Sequence, residues 1–145
     1  MRILVAIDQM GGGGAARVTG VMVNGLVERG HKVAMASNWS KGSHYTLPPD
    51  ISRYEIRSIK TGKTPIASIV MHCRGIRQAL AAIEQWKPDV VIGVQTTAYL
   101  WMRFATWLKR IPCVAVDHTS FGRKTDRFTK YMRLQFYGTA DAITI

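Results

Sequence analysis

The chain has 145 residues, long enough for one domain to bury roughly two thirds of its unfolded surface without a disulfide scaffold. With 47% hydrophobic and 20% charged residues, the composition stands apart from disordered, collagen-like and membrane-spanning chains. Twenty Lys and Arg against nine Asp and Glu leave a net charge of +11, a field that draws polyanions such as nucleic acid, anionic lipid or phosphorylated substrates.

After Met1 and Arg2 the apolar run Ile3 to Ile7 stops at Asp8, too short for a signal peptide, and no stretch is long enough for a membrane span. A cytoplasmic protein is expected. The run lacks alternation, which predicts a central strand covered on both faces. Gly11 to Gly14 follow, then a helix from Ala15 with Val18, Val21, Met22, Leu26 and Val27 on its apolar side, closed by Gly30 as C-cap. A second strand over Lys32 to Ser37 completes a parallel βαβ unit. Residues 38–53, with Pro48-Pro49, read as an exposed loop. A third strand is expected over Tyr54 to Ile59. Beyond Pro65, the positions Ile66, Ile69, Val70, Cys73, Ile76, Leu80 and Ile83 trace the apolar face of a long helix, which Pro88 stops. Asp89 to Val94 reads as a strand, Thr97 to Lys109 as a helix and Pro112 to Val116 as a fifth strand. A basic helix over Thr125 to Tyr137 leads to a sixth strand, Ala140 to Ile145.

The alternation predicts an α/β fold: one Rossmann-like domain, a mostly parallel sheet flanked by helices. Ending on AITI without a following helix, the chain is expected to be part of a longer protein. Its open face and unfinished sheet edge would favour self-association of the piece alone. Cys73 and Cys113 are expected as core thiols in a reducing compartment.

The glycine run carries the sharpest local signal. Four glycines between a buried strand and a helix let backbone N–H groups approach an anion that any Cβ would obstruct, and a valine at Gly13 would meet both a positive φ and the ligand's space. Gly11, Gly13 and Ala16 satisfy G-x-G-x-x-A, a pattern that a run of glycines fits trivially. A dinucleotide site also wants an acid at the end of the second strand, where Ser37, Asn38 and Trp39 stand. His31 reads as structural, His44 lies in the loop, and His72 sits in the long helix; no set has metal-ligand spacing, so neither a metal nor another cofactor is expected.

The opening MRILVAIDQMGGGGAARV, then VNGLVERGHKVAMAS, the KPDVVIGV strand, and IPCVAVDH followed by a basic helix and ADAITI resemble the N-terminal half of the retaining GT-B glycosyltransferases of family four. The order matches over most of the chain. One departure is the Glu that such proteins often carry after a Gly-Ala pair, since Ala15 is followed here by Ala16 and Arg17. The resemblance implies that Gly12, Gly13 and Gly14 lie at an interdomain cleft beside a donor diphosphate and the acceptor, that transfer needs no metal, and that an acidic donor-binding motif belongs to a second domain. In an open α/β sheet, ligands collect at the carboxyl ends of the strands. Gln95, Thr96 and Thr119 fall there and, with Arg17 on the first helix, complete the expected binding set. His118, at the end of the fifth strand, is the candidate catalytic residue, because a neutral imidazole can accept one hydroxyl proton and donate to another oxygen. Asp117 should point to the opposite face.

At 100° per residue, Arg123, Arg127, Lys130 and Arg133 share one side of the last helix and Phe128, Met132 and Phe136 the other. With Trp101, Phe104 and Trp107 on the preceding helix, this region suits an anionic acceptor or a peripheral membrane contact. The expected function is the acceptor-side domain of an enzyme moving sugar from a nucleotide-sugar to a glycan, cell-envelope or lipid-linked acceptor. The alternative is a non-catalytic basic module that binds nucleic acid or anionic membrane. The chain carries no motif for specific nucleic-acid recognition.

Overall fold

The computed structural model describes residues 1–40, 42–57, 65–116, 131 and 138–144. β1 (Arg2–Gln9), α1 (Gly14–Glu28), β2 (Lys32–Asn38), β3 (Ser52–Glu55), α2 (Pro65–Trp86), β4 (Val90–Val94), α3 (Thr96–Lys109), β5 (Cys113–Val116) and β6 (Ala142–Thr144) follow in that order. The strands form one sheet of order β3-β2-β1-β4-β5-β6, with every pairing parallel. This is the Rossmann-like architecture that the alternation predicts. The basic segment at 125–137 lies outside the described residues except for Tyr131.

Parallel strands need crossovers, and the helices of these crossovers cover both faces. Along β1, Ile3, Val5 and Ile7 face α1 with Met35 and Val94, while Leu4 and Ala6 face α2 and α3 with Ala34, Val91 and Ala115. A strand buried on both faces has no polar side to show, which explains the unbroken ILVAI run. Each fully buried aliphatic side chain is worth about 1.5–3 kcal/mol. Arg2 fixes the opposite edge: its guanidinium stacks 4.2 Å from the Trp86 ring centroid and donates to the carbonyls of Trp86 and Lys87. Among the described residues, no helix is long and apolar enough to cross a membrane.

Both predicted helix faces need correction in part: Met22, Leu26 and Val27 in α1 and Ile76, Leu80 and Ile83 in α2 pack on the core as expected. In α1 the buried residues are Ala16, Thr19, Gly20 and Val23, whereas Val18 and Val21 are exposed. In α2 the buried face runs through Gly75, Ala79, Ala82 and Ile83; Ile66, Ile69 and Val70 are exposed, and so is Cys73, against its expectation as a core thiol. The cause is close approach. A Cβ on Gly75 would stand 2.3 Å from the Trp101 ring, so α2 places its smallest residues at the crossing with α3, with Met71, Ile76 and Leu80 packed beside them and Ile66, Ile69 and Val70 outward. Trp101 Nε1 donates to His72 Nδ1 at 3.0 Å across the same contact, giving His72 a packing role. Cys113 is buried as expected, its thiol pushed up to about 11 by desolvation, against a lowering hydrogen bond from Thr106. The third strand is shorter and earlier than Tyr54 to Ile59: it ends at Glu55, where β2, its partner, also nears its end.

Candidate functional site

The sheet reverses its direction of growth at β1, which has β2 on one side and β4 on the other. β1 leads into α1 on one face, and β4 leads into α3 on the opposite face. The register Ile3↔Val90 to Ile7↔Val94 brings the two carboxyl ends out together. A crevice opens at such a switch point because the two chains leave in opposite directions.

The glycine loop forms one lip. Gly13 is the N-cap of α1, with φ 167° and ψ 160°, and the helix has no side-chain cap and no acid in its first turn. The first-turn N–H groups of Gly14, Ala15 and Ala16 therefore point out of the helix end without an internal carbonyl partner. The positive end of the helix dipole lies there too. None of Gly11 to Gly14 has a φ in the left-handed region, which corrects the expected positive φ at Gly13: its backbone is extended and open to any residue. Packing does not require the glycines either. No atom beyond the chain neighbours lies within 4 Å of a Cβ built on Gly11, Gly13 or Gly14, and one on Gly12 would meet only His44 Nδ1, at 3.8 Å. The fold itself leaves this run unexplained, so the open space in front of it is the feature to account for. Arg17 sits exposed on the next turn, with its N–H donated to Gly13 O at 3.0 Å.

The other lip is Gln95 and Thr96. Gln95 caps α3 with φ 67° and ψ 158°, a conformation that costs a side-chain-bearing residue about 1–3 kcal/mol. Its N–H donates to Val116 O and its carbonyl accepts from Tyr99, which ties the end of β4 to both β5 and α3. Gly93 makes the turn this tight, since a Cβ there would stand 2.7 Å from Tyr99 Cα. Gln95 and Thr96 are each partly exposed. Their amide and hydroxyl are hydrogen-bonding groups at the same edge as the glycine loop.

Two residues of the site escape sequence reasoning. The stretch Ser43 to Thr46 straps across the glycine loop: His44 N–H donates to Met10 O at 3.2 Å, and Asn24 Nδ2 holds Thr46 O at 3.0 Å. Tyr45 packs against α1, where a Cβ on Gly20 would be 3.3 Å from its own Cβ and 3.9 Å from its Cγ. Its hydroxyl accepts from Gly13 N–H at 3.3 Å and donates to Gly13 O at 3.1 Å. The exposed His44 imidazole stands beside Gly12. The available signal was a lone His-Tyr pair in an otherwise small and polar loop, facing a helix with a glycine at position 20.

At the end of β2, the Ser37 hydroxyl is buried with no hydrogen-bond partner, and Trp39 donates to Tyr54 O. The carboxylate that reaches this corner is Glu55 from β3, but it is paired with Arg57 at 3.1 Å. Among the described residues, the end of β2 thus supplies no unpaired acid for a ribose. His118, Asp117, Thr119, Arg123, Arg127, Lys130 and Arg133 lie outside the described residues. Of the aromatic residues expected at a membrane surface, Trp101 is core, whereas Phe104 and Trp107 are exposed. A depression lined by Arg103, Trp107, Arg110 and Asp141 sits at the far end of α3, where Asp141 accepts from Cys113 N–H and pairs with Arg103, so it belongs to the anchoring of β6. Among the described residues, no cluster of His, Cys, Asp or Glu could hold a metal.

Known structures share this fold at low identity. MurG from Acinetobacter baumannii superposes with a TM-score of 0.73 at 16% identity, covering 98% of this chain and 40% of that one. The lipopolysaccharide outer core galactosyltransferase WaaB, in its apo form, gives 0.69 at 14% identity, covering 99% and 38%. Sucrose-phosphate synthase from Thermosynechococcus elongatus gives 0.68 at 11% identity, covering 98% and 41%. The chain thus spans about two fifths of the length of these proteins. A comparison with curated protein sequences gives no match. Residues 12–145, nearly the whole chain and including Gly12 to Gly14 of the glycine loop, match the model of Glycosyltransferase Family 4, and to that family the chain belongs.

Proposed function

We propose that this chain is the N-terminal, acceptor-side domain of a retaining glycosyltransferase that moves a sugar from a nucleotide-sugar to a glycan or lipid-linked cell-envelope acceptor. The observation that carries the reading is the glycine loop: four glycines that neither torsion nor packing requires, at the switch point of a chain of this family. Space kept free beside an uncapped helix end suits a group that is large, anionic and external. The donor diphosphate is such a group.

In this reading, the bond from the anomeric carbon to the diphosphate breaks and negative charge grows on the leaving oxygen. The N–H groups of Gly14, Ala15 and Ala16 face that charge, and Arg17 adds a cation one turn on. Gln95 and Thr96 offer their amide and hydroxyl to the sugar or the acceptor. The acceptor oxygen forms its new bond to the same anomeric carbon, while His118 holds that hydroxyl in place and takes up its proton. These cationic and N–H groups take up the charge, so transfer proceeds without a metal ion and turnover survives chelation. A second domain supplies most donor contacts, and the 145 residues alone are inactive, because half a cleft does not exclude water.

Gly13→Val in the full-length enzyme is the direct test. Valine tolerates an extended backbone and meets open space, so the melt should change by only a few degrees, while its two methyl groups fill the volume assigned to phosphate. Turnover of nucleotide-sugar should be abolished. Wild-type turnover in this variant would remove the loop from the site. Strongly salt-dependent affinity for random nucleic acid, with no response to any nucleotide-sugar, would instead support the basic binding module.

A further inference from the structure

We infer that Tyr45 is a positioning residue of this site, which decides which backbone N–H groups the glycine loop offers to an anion; the inference rests on the glycosyltransferase reading above. A fully extended residue turns its own N–H and C=O to the same side, as in a strand awaiting a partner. Gly13 has that conformation, with φ 167° and ψ 160°. The Tyr45 hydroxyl occupies both groups at once, at 3.3 and 3.1 Å.

Three consequences follow. First, the Gly13 N–H is already spent on a phenol oxygen, so the donors left to an anion are those of the first helical turn, Gly14 to Ala16. Second, Gly13 O accepts from both Tyr45 and Arg17 N–H, which holds the first turn of α1 closed although the N-cap has no side chain. Third, the phenol reaches Gly13 across 32 residues of sequence and is itself fixed. Its ring packs on Gly20, and Asn24 and Met10 grip its neighbours Thr46 and His44. A floppy glycine run is thereby held as a preorganised donor array by one hydroxyl from outside the motif. Preorganised donors are worth most where charge is fully developed, so the nucleoside diphosphate that leaves should feel Tyr45 more than the intact donor does.

Tyr45→Phe in the full-length enzyme removes the hydroxyl and keeps the ring on Gly20. The probes are UDP with UDP-glucose, GDP with GDP-mannose and ADP with ADP-glucose, each measured by calorimetric titration, taking the pair that the wild type binds most tightly. The expected result is a roughly tenfold weaker Kd for the nucleoside diphosphate, less than threefold for its sugar derivative, and a melting temperature within a few degrees of wild type. Titrated at least about 20 °C below its melt, the variant is essentially all folded, so a merely structural role would lower the melt and leave both constants unchanged; that result overturns the inference. Unchanged constants and melt in Tyr45→Phe, alongside loss of turnover in Gly13→Val, would refute the role of Tyr45 while sparing the site. Silence in both variants would overturn the site itself.

Discussion

Replacing Gly75 with alanine should destabilise the protein, although alanine is the better helix former. In an open helix interior the change gains about 1 kcal/mol from propensity alone. Here the new Cβ would stand 2.3 Å from two carbons of the Trp101 ring, against about 3.5–4.0 Å for ordinary contact. Trp101 is 2% exposed and held by His72, so the ring has nowhere to swing, and α2 must retreat by more than about 1 Å along its contact with α3. Overpacking of this severity costs about 3 kcal/mol, which leaves a net loss of about 2 kcal/mol after the propensity gain. For a chain of this size that lowers Tm by about 6 °C. Gly25 supplies the internal control: a Cβ there meets only the end of the flexible Arg29 side chain, at 3.1 Å, so Gly25→Ala should raise stability. Urea unfolding followed by tryptophan fluorescence compares the two variants on one scale. Equal stabilisation by both would refute the close approach of α2 and α3, and with it the account of why α2 buries Gly75 and Ala79.

His118→Ala in the full-length enzyme should lower turnover at least tenfold, about 1.4 kcal/mol of transition-state stabilisation, with little change in the melt; steady-state kinetics beside a thermal scan would reveal an unchanged rate or simple unfolding. The cations Arg123, Arg127, Lys130 and Arg133 should draw the protein to anionic vesicles, at about 1 kcal/mol each near the surface. Sedimentation with phosphatidylglycerol and with phosphatidylcholine vesicles at low and high salt decides it, and equal binding to both lipids, or no loss when all four become Gln, removes the role. In the native protein a thiol reagent near pH 8 should modify Cys73 and spare Cys113, because the buried thiol, raised to about 11, holds almost no thiolate there. Modification of both at equal rates would contradict that burial.

Much of the fold was legible because the sheet writes itself in unbroken apolar runs, and ILVAI and VVIGV can hardly be anything but central strands. The glycine loop was legible for the opposite reason, as an absence of side chains where helices usually carry a cap. The helix faces are only partly legible because periodicity follows the largest apolar residues, of which Leu26, Leu80 and Ile83 do pack inward, whereas close approach selects the smallest: Ala16 and Gly20 in α1, Gly75 and Ala79 in α2. Val18, Val21, Ile66 and Ile69 therefore marked the wrong sides. Tyr45 was invisible for a different reason. Its partner lies 32 positions upstream, and only the packing of a loop on a helix brings the two together. Nothing in the order of residues announces that a tyrosine will serve as the cap of a distant glycine.

Gln95 is the mirror image of the glycine loop across the switch point. On one side of the crevice, four residues have shed side chains that neither backbone nor packing forbids. On the other, a long amide side chain persists at a backbone angle that glycine alone adopts at ease. A stability-minded sequence would exchange them, placing glycine at 95 and a capping Ser or Asp at 13. The chain does the reverse at both places, so the two lips deviate from their local optimum in opposite senses, one by lacking side chains and the other by keeping a hydrogen-bonding one. Selection for thermal robustness alone should therefore erode this edge first, with Gln95→Gly among the earliest changes to appear and the fold unaltered by it.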